Sequence, residues 1–165
     1  MRRTAAVALL SLPAAQATYA WLVRRLFMRN LRNLRAGNPE PLFKSYADDV
    51  RFVFPGDSSW GGEVRGREAL EHWVRRFVRV GLQLEPQKIL ITGPPWKTTF
   101  CLLYTDELTT PSGERVYENR GAIYGTIRWG KITSYETAED THKVEAFDEW
   151  LAEHEQELSA SSAAA

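Results

Sequence analysis

Cysteine is nearly absent from this chain: Cys101 stands alone in 165 residues. That excludes an internal disulfide and any cysteine-built zinc site, and no metal or cofactor is expected from the residues present. Set among Phe100, Leu102 and Leu103, the thiol reads as buried and inert. Net charge is also lacking. The formal sum is +0, so the total gives no argument for nucleic acid as a partner. Acid is missing altogether from residues 1–36, which carry seven arginines, while the remainder has a balance of −7. No internal repeat is visible.

Residues 4–23 lack charge of either sign. Three readings fit this run: an N-terminal extension (1–17), a membrane anchor or interfacial segment, and a cleaved signal ending near Ala15-Gln16-Ala17. Thr4, Ser11, Gln16 and Thr18 dilute it and Pro13 interrupts it. Basic residues flank both ends, so charge assigns no orientation. The location expected is cytoplasmic, with membrane association through residues 4–23 as the alternative.

What the chain does have is pattern. Tyr19, Leu22, Val23, Leu26, Phe27 and Leu34 recur at helical steps over 18–36, with Asn30 as a polar intruder on the apolar stripe. Gly37 suits the position after a helix end, Asn38 a cap, and Pro39 the first turn of a short helix. Val50 to Phe54 reads as a strand. Ala69, Leu70, Trp73, Val74 and Phe77 form the buried face of a third helix, with His72 at its side. Strands follow from Leu82 to Thr92, Trp96 to Leu108, Val116 to Arg128 and Lys131 to Thr137. The last two are joined by a turn at Arg128-Trp129-Gly130-Lys131. Asp140-Thr141 can cap a helix over 142–158, and 159–165 reads as a frayed tail.

The motifs Ala36-Gly37-Asn38, Tyr46-Ala47-Asp48-Asp49-Val50, Gly66-Arg67-Glu68-Ala69-Leu70 and Gly130-Lys131-Ile132 come in an order that resembles the nuclear transport factor 2-like superfamily, in its SnoaL-like and ketosteroid isomerase-like branches. The resemblance covers residues 18–141. It implies an α+β fold in which a curved antiparallel sheet wraps around N-terminal helices to make a cone with an apolar pocket. It also implies a homodimer through the outer sheet face, where Tyr124 and Trp129 would lie. Carried over by position, the catalytic groups of these branches fail to match. The isomerase base falls at Phe54, its oxyanion-hole tyrosine at Asn30, and its oxyanion-hole acid near Ile123. The cyclase aspartate falls at Thr137. Of the epoxide hydrolase set, Asp106 matches an aspartate, Tyr104 stands near the arginine position, and Thr137 again replaces the second acid.

Strand alternation says which residues would line the pocket that the resemblance implies. If 106 pairs with 119, then 104 faces 121. A bulge at Gly130 would set 123 opposite 135 and 121 opposite 137. One face then carries Tyr104, Asp106, Asn119, Gly121, Ile123, Tyr135 and Thr137, beside Phe52 and Phe54. This is an aromatic wall with few polar groups, and Asp106 is its one acid. Three functions follow: a pocket protein binding an apolar small molecule, an acid/base enzyme (isomerase, cyclase or hydrolase type) using Asp106, and a membrane- or partner-interaction module built on the arginine-rich N-terminal helix. The alternative to any pocket is that these aromatics simply fill the core, with Asp106 and Asn119 wet at its rim.

Overall fold

A computed structural model describes residues 3–163, with side chains for 14–158 and 160. Four helices and six strands follow in the order α1 (Arg3–Arg35), α2 (Glu40–Phe43), β1 (Tyr46–Phe54), β2 (Gly62–Arg65), α3 (Arg67–Val80), β3 (Gln83–Thr92), β4 (Thr98–Thr109), β5 (Arg115–Arg128), β6 (Lys131–Glu139) and α4 (Thr141–Ala163). The strands form one sheet, ordered β2-β1-β6-β5-β4-β3. It is curved and unclosed. It is mixed rather than purely antiparallel, because β1 runs parallel to β6.

Local chemistry sets the element ends. Gly37 takes φ +76, and Asn38 N–H reaches back to Asn33 O at 2.9 Å, closing α1. Asn38 Oδ1 accepts from Glu40 N–H at 3.3 Å. Asp140 Oδ1 accepts from His142 N–H at 3.1 Å and so caps α4. Gly81 ends α3 in the left-handed region.

Several boundaries differ from the sequence reading. α1 begins at Arg3 instead of Thr18, and α4 runs on to Ala163, within the residues read as a tail. Residues 1, 2, 164 and 165 of the two terminal segments lie outside the described residues. β1 opens four residues early, at Tyr46, because Tyr46 pairs with Ile132 of β6. β2, for which the sequence reading has no strand, lies on the β1 edge. Ala69 is exposed, and Cys101 is half-buried opposite Tyr124.

The β5–β6 register carries the largest consequence. Pairing of 106 with 119 and of 104 with 121 holds. Beyond the turn, however, Arg128 faces Lys131 directly, so the loop is only Trp129-Gly130. Both residues take positive φ, 51 and 81, as a two-residue hairpin turn of the primed type requires. The bulge falls earlier, between Thr126 and Ile127. Ile123 therefore faces Thr137, and Gly121 faces Glu139. The strand continues two residues beyond Thr137, which brings a second acid to the inner face.

The core lies between the inner face of the sheet and the helices. Phe27 of α1 packs its ring 5.1 Å from Phe100 of β4. Trp73 of α3 lies 4.8 Å from Phe52 and 5.4 Å from Trp60, and its Nε1 donates to Trp60 O at 3.1 Å. α4 closes the open side of α3. The Arg76 guanidinium makes two hydrogen bonds to Glu155, at 2.9 and 2.8 Å.

Candidate functional site

Alternation on β1, β4, β5 and β6 sends every second side chain inward. Opposite them α1 and α3 present Leu31, Leu34, Trp73 and Phe77. The elements do not close completely. Between them lies a cavity of about 90 Å³, room for several water-sized groups and smaller than a typical small-molecule site. Its wall is overwhelmingly apolar. Tyr135 stands at its middle, 4.6 Å from the ring of Phe52. The Tyr135 hydroxyl is 3.2 Å from that of Tyr46, so the two phenols satisfy each other.

One end is different. Asp106 of β4 and Glu139 of β6 both face the cavity, with Tyr104 and Thr137 beside them. Glu139 is held by three donors. Tyr104 donates to Oε1 at 3.2 Å, and Tyr117 and Asn119 donate to Oε2 at 3.3 and 3.1 Å. Asn119 Nδ2 also reaches Tyr117 Oη at 3.1 Å and Asp140 O at 3.0 Å, locking the cluster to the start of α4. Asp106 is 6% exposed and Thr137 6%. Asp106 Oδ1 and Thr137 Oγ1 have no protein partner. Buried polar atoms rarely lack one, so both are vacant valences on residues that line the cavity.

Burial pushes the Asp106 carboxyl up to about 6, against the smaller opposing pull of its own backbone N–H and of the Tyr117 hydroxyl. Glu139 is raised to about 7, first by burial and then by repulsion from Asp106, despite its three donors. Two carboxyls raised in one apolar chamber titrate as a unit near neutrality. The Tyr104 phenol is pushed well above its ordinary range by burial and the neighbouring carboxylates, so it stays a hydrogen-bond donor.

Of the residues expected at the site, Phe52, Phe54, Tyr104, Asp106, Ile123, Tyr135 and Thr137 line the cavity. Asn119, Gly121 and Asn30 contribute no surface to it. Asn119 is 2% exposed behind Glu139, so the Asp106–Asn119 pair is not wet at a rim. Asn30 points toward Ser45, with Nδ2 3.4 Å from its Oγ. Asp106 is not the one acid on this face. Glu139 was missed because the last strand was ended at Thr137 and its register was two residues out, and Tyr117 because the inward series on β5 was begun at Asn119. Carrying the alternation one step past Thr137 would have found Glu139. Among the described residues, no group of three or more His, Cys, Asp or Glu side chains could hold a metal ion.

A protein-family model described as a SnoaL-like domain matches residues 27–135. Solved structures share the fold at low identity. A protein of unknown function from Mycobacterium tuberculosis is 15% identical, with TM-score 0.65 over 90% of this chain and 93% of that one. TerC, co-crystallized with polyporic acid, is 21% identical, with TM-score 0.63 over 77% and 98%. SalBIII, an epoxide hydrolase/cyclase-like enzyme in pyran ring formation in polyether salinomycin, is 16% identical, with TM-score 0.60 over 74% and 94%. Among curated proteins, none matches the sequence.

Proposed function

Since the chain belongs to the SnoaL-like domain family, whose fold is nuclear transport factor 2-like, we propose that it takes an apolar, oxygen-bearing small molecule into the cavity and moves a proton on it through the Asp106–Glu139 pair. The observation that carries this reading is Asp106, which lines a largely apolar cavity with its Oδ1 unpartnered and a second raised carboxyl among the other lining residues. Asp106 is the acid with a free oxygen, so it meets the substrate. Glu139, tied to three donors, is the positioning residue that shares its proton. Thr137 Oγ and Tyr104 Oη orient the substrate oxygen. Groups with pKa values near neutrality are suited to general acid/base work, and a dry, preorganised site strengthens each of these interactions. TerC and SalBIII, with an oxygenated ligand and a ring-forming reaction in their descriptions, make this substrate class a reasonable one to test. The outer sheet face, where Leu103 and Tyr124 are exposed at 42% and 45%, is the proposed homodimer surface.

A second reading has its own support. Phe54 and Thr137 occupy places where the resemblance puts catalytic acids, which favours a carrier that binds without reacting. One experiment separates the two. Apolar oxygenated molecules are screened by thermal shift, and each hit is incubated with the wild type and with Asp106→Asn, followed by mass spectrometry. A ligand at 100 times its dissociation constant adds about 2.7 kcal/mol. Product from the wild type, slowed about 10²–10⁴-fold in Asp106→Asn, supports the enzyme. A hit released unchanged by both supports the carrier. If no molecule of this class binds, both readings fail.

A further inference from the structure

A second surface lies at the opposite end of the sheet from the carboxyl pair. Trp129 is 73% exposed and Trp96 57%. Their rings lie 6.0 Å apart. They belong to different loops, fastened together by Trp129 N–H donating to Pro95 O at 2.7 Å. Trp129 is held outward by a φ of 51, the one positive value at a non-glycine residue among those described. α1 reaches the same end, where Tyr19 Oη lies 2.7 Å from Thr98 Oγ1. Just past that contact Trp21, Leu22 and Leu26 are exposed at 57%, 47% and 41%, with the Arg25 guanidinium 5.5 Å from the Trp21 ring centroid. Lys131 Nζ donates to Lys44 O at 2.7 Å, joining the α2–β1 turn to the same cluster.

The segments that meet here contain no acid. Residues 1–36, 41–47, 86–105 and 121–135 have neither Asp nor Glu. Arg24, Arg25, Lys44, Lys97, Arg128 and Lys131 are all exposed. Basic side chains set around solvated indoles and leucines match a surface that is negative outside and apolar just beneath. It repels a second copy of itself.

We propose that this end docks on an anionic lipid bilayer, with Trp96 and Trp129 at headgroup depth and the basic side chains over the lipid phosphates. Indoles favour that boundary, and each Lys or Arg near an anionic leaflet is worth roughly fivefold in partitioning. The mode is peripheral: among the described residues no helix is long and apolar enough to cross a membrane. The surface is about 30 Å along β5 from Asn119 at the carboxyl pair, taking the usual rise per strand residue. It therefore stands whether or not the pocket is catalytic.

The test is co-sedimentation of the full chain with vesicles of equal parts phosphatidylcholine and phosphatidylglycerol, and with phosphatidylcholine alone. Trp96→Ala/Trp129→Ala and Lys97→Gln/Arg128→Gln are compared with the wild type, folding being checked by circular dichroism. Expected are binding to the mixed vesicles only, loss at high salt, and a drop of roughly tenfold or more in each double variant. Because the charge variant leaves every indole in place, it carries the test even if the tryptophan variant misfolds. The proposal is overturned if wild type ignores anionic vesicles at low salt, or if both variants bind undiminished. It is also overturned if the wild type pellets without lipid through self-association, or retains an oligonucleotide but no vesicle.

Discussion

Tyr104 occupies the space that a side chain at Gly121 would need. A Cβ at 121 would stand 2.8 Å from Tyr104 Oη, 2.9 Å from its Cζ and 2.8 Å from Ala138 O. The absent side chain is what lets the Tyr104 hydroxyl lie across β5 and reach Glu139. Gly121→Ala should therefore cost about 1–3 kcal/mol in urea unfolding. It should also release Tyr104 from Glu139, seen as a change in tyrosine absorbance. A variant as stable as the wild type would show that the ring relaxes freely.

Raised carboxyls give the stability a definite pH slope. The folded state holds the Asp106 and Glu139 protons up to about 6 and about 7, whereas the unfolded chain releases them near 4. More protons are bound by the folded state in that window, so stability is greatest below about pH 4 for these two groups and falls as pH rises through 6 and 7. Asp106→Asn should flatten part of this slope and add about 3 kcal/mol at pH 8. Unfolding midpoints measured from pH 4 to pH 8 check it. A wild-type curve no steeper than the variant's would place the Asp106 carboxyl at its ordinary value.

Thr137 offers a contrast between stability and binding. Its Oγ1 is buried without a partner, so Thr137→Val removes an unsatisfied group at nearly constant shape. The empty protein should gain about 0.5–1.5 kcal/mol. Any ligand that uses the hydroxyl should bind the variant more weakly in a thermal-shift titration. A loss of stability instead would reveal a partner for Thr137 in the unliganded protein.

The N-terminal extension is best tested by removal. Ala14 to Thr18 are exposed, and among the described side chains Tyr19 makes the first tie from α1 to the sheet. A chain beginning at Thr18 should melt within a few degrees of the full chain. A drop of more than about 5 °C, equivalent to roughly 2 kcal/mol, would mean that residues before Thr18 pack on the domain.

Much of the molecule was legible in residue order. Helical spacing from Tyr19 to Leu34, the Gly37 stop and the strand-rich second half depend on neighbours within a few positions, where propensity and hydrophobic period act directly. The same local rules aimed Tyr104, Asp106 and Tyr135 inward, because alternation along one strand needs no knowledge of its partner. What sequence could not decide is how strands slide against each other. A two-residue turn at Trp129-Gly130 and a bulge placed at Thr126 rather than Gly130 differ little in composition. They nevertheless shift β6 by two residues and decide whether Gly121 faces Thr137 or Glu139. Pairing across strands and burial from α1 and α3 made Glu139 a partner of Asp106 and raised both carboxyls, since desolvation comes from atoms distant in the chain. Sequence by itself determined most of the elements, the family and the inward direction of the acid at 106. The second acid and the chamber between them exist only once the sheet has curved around the helices.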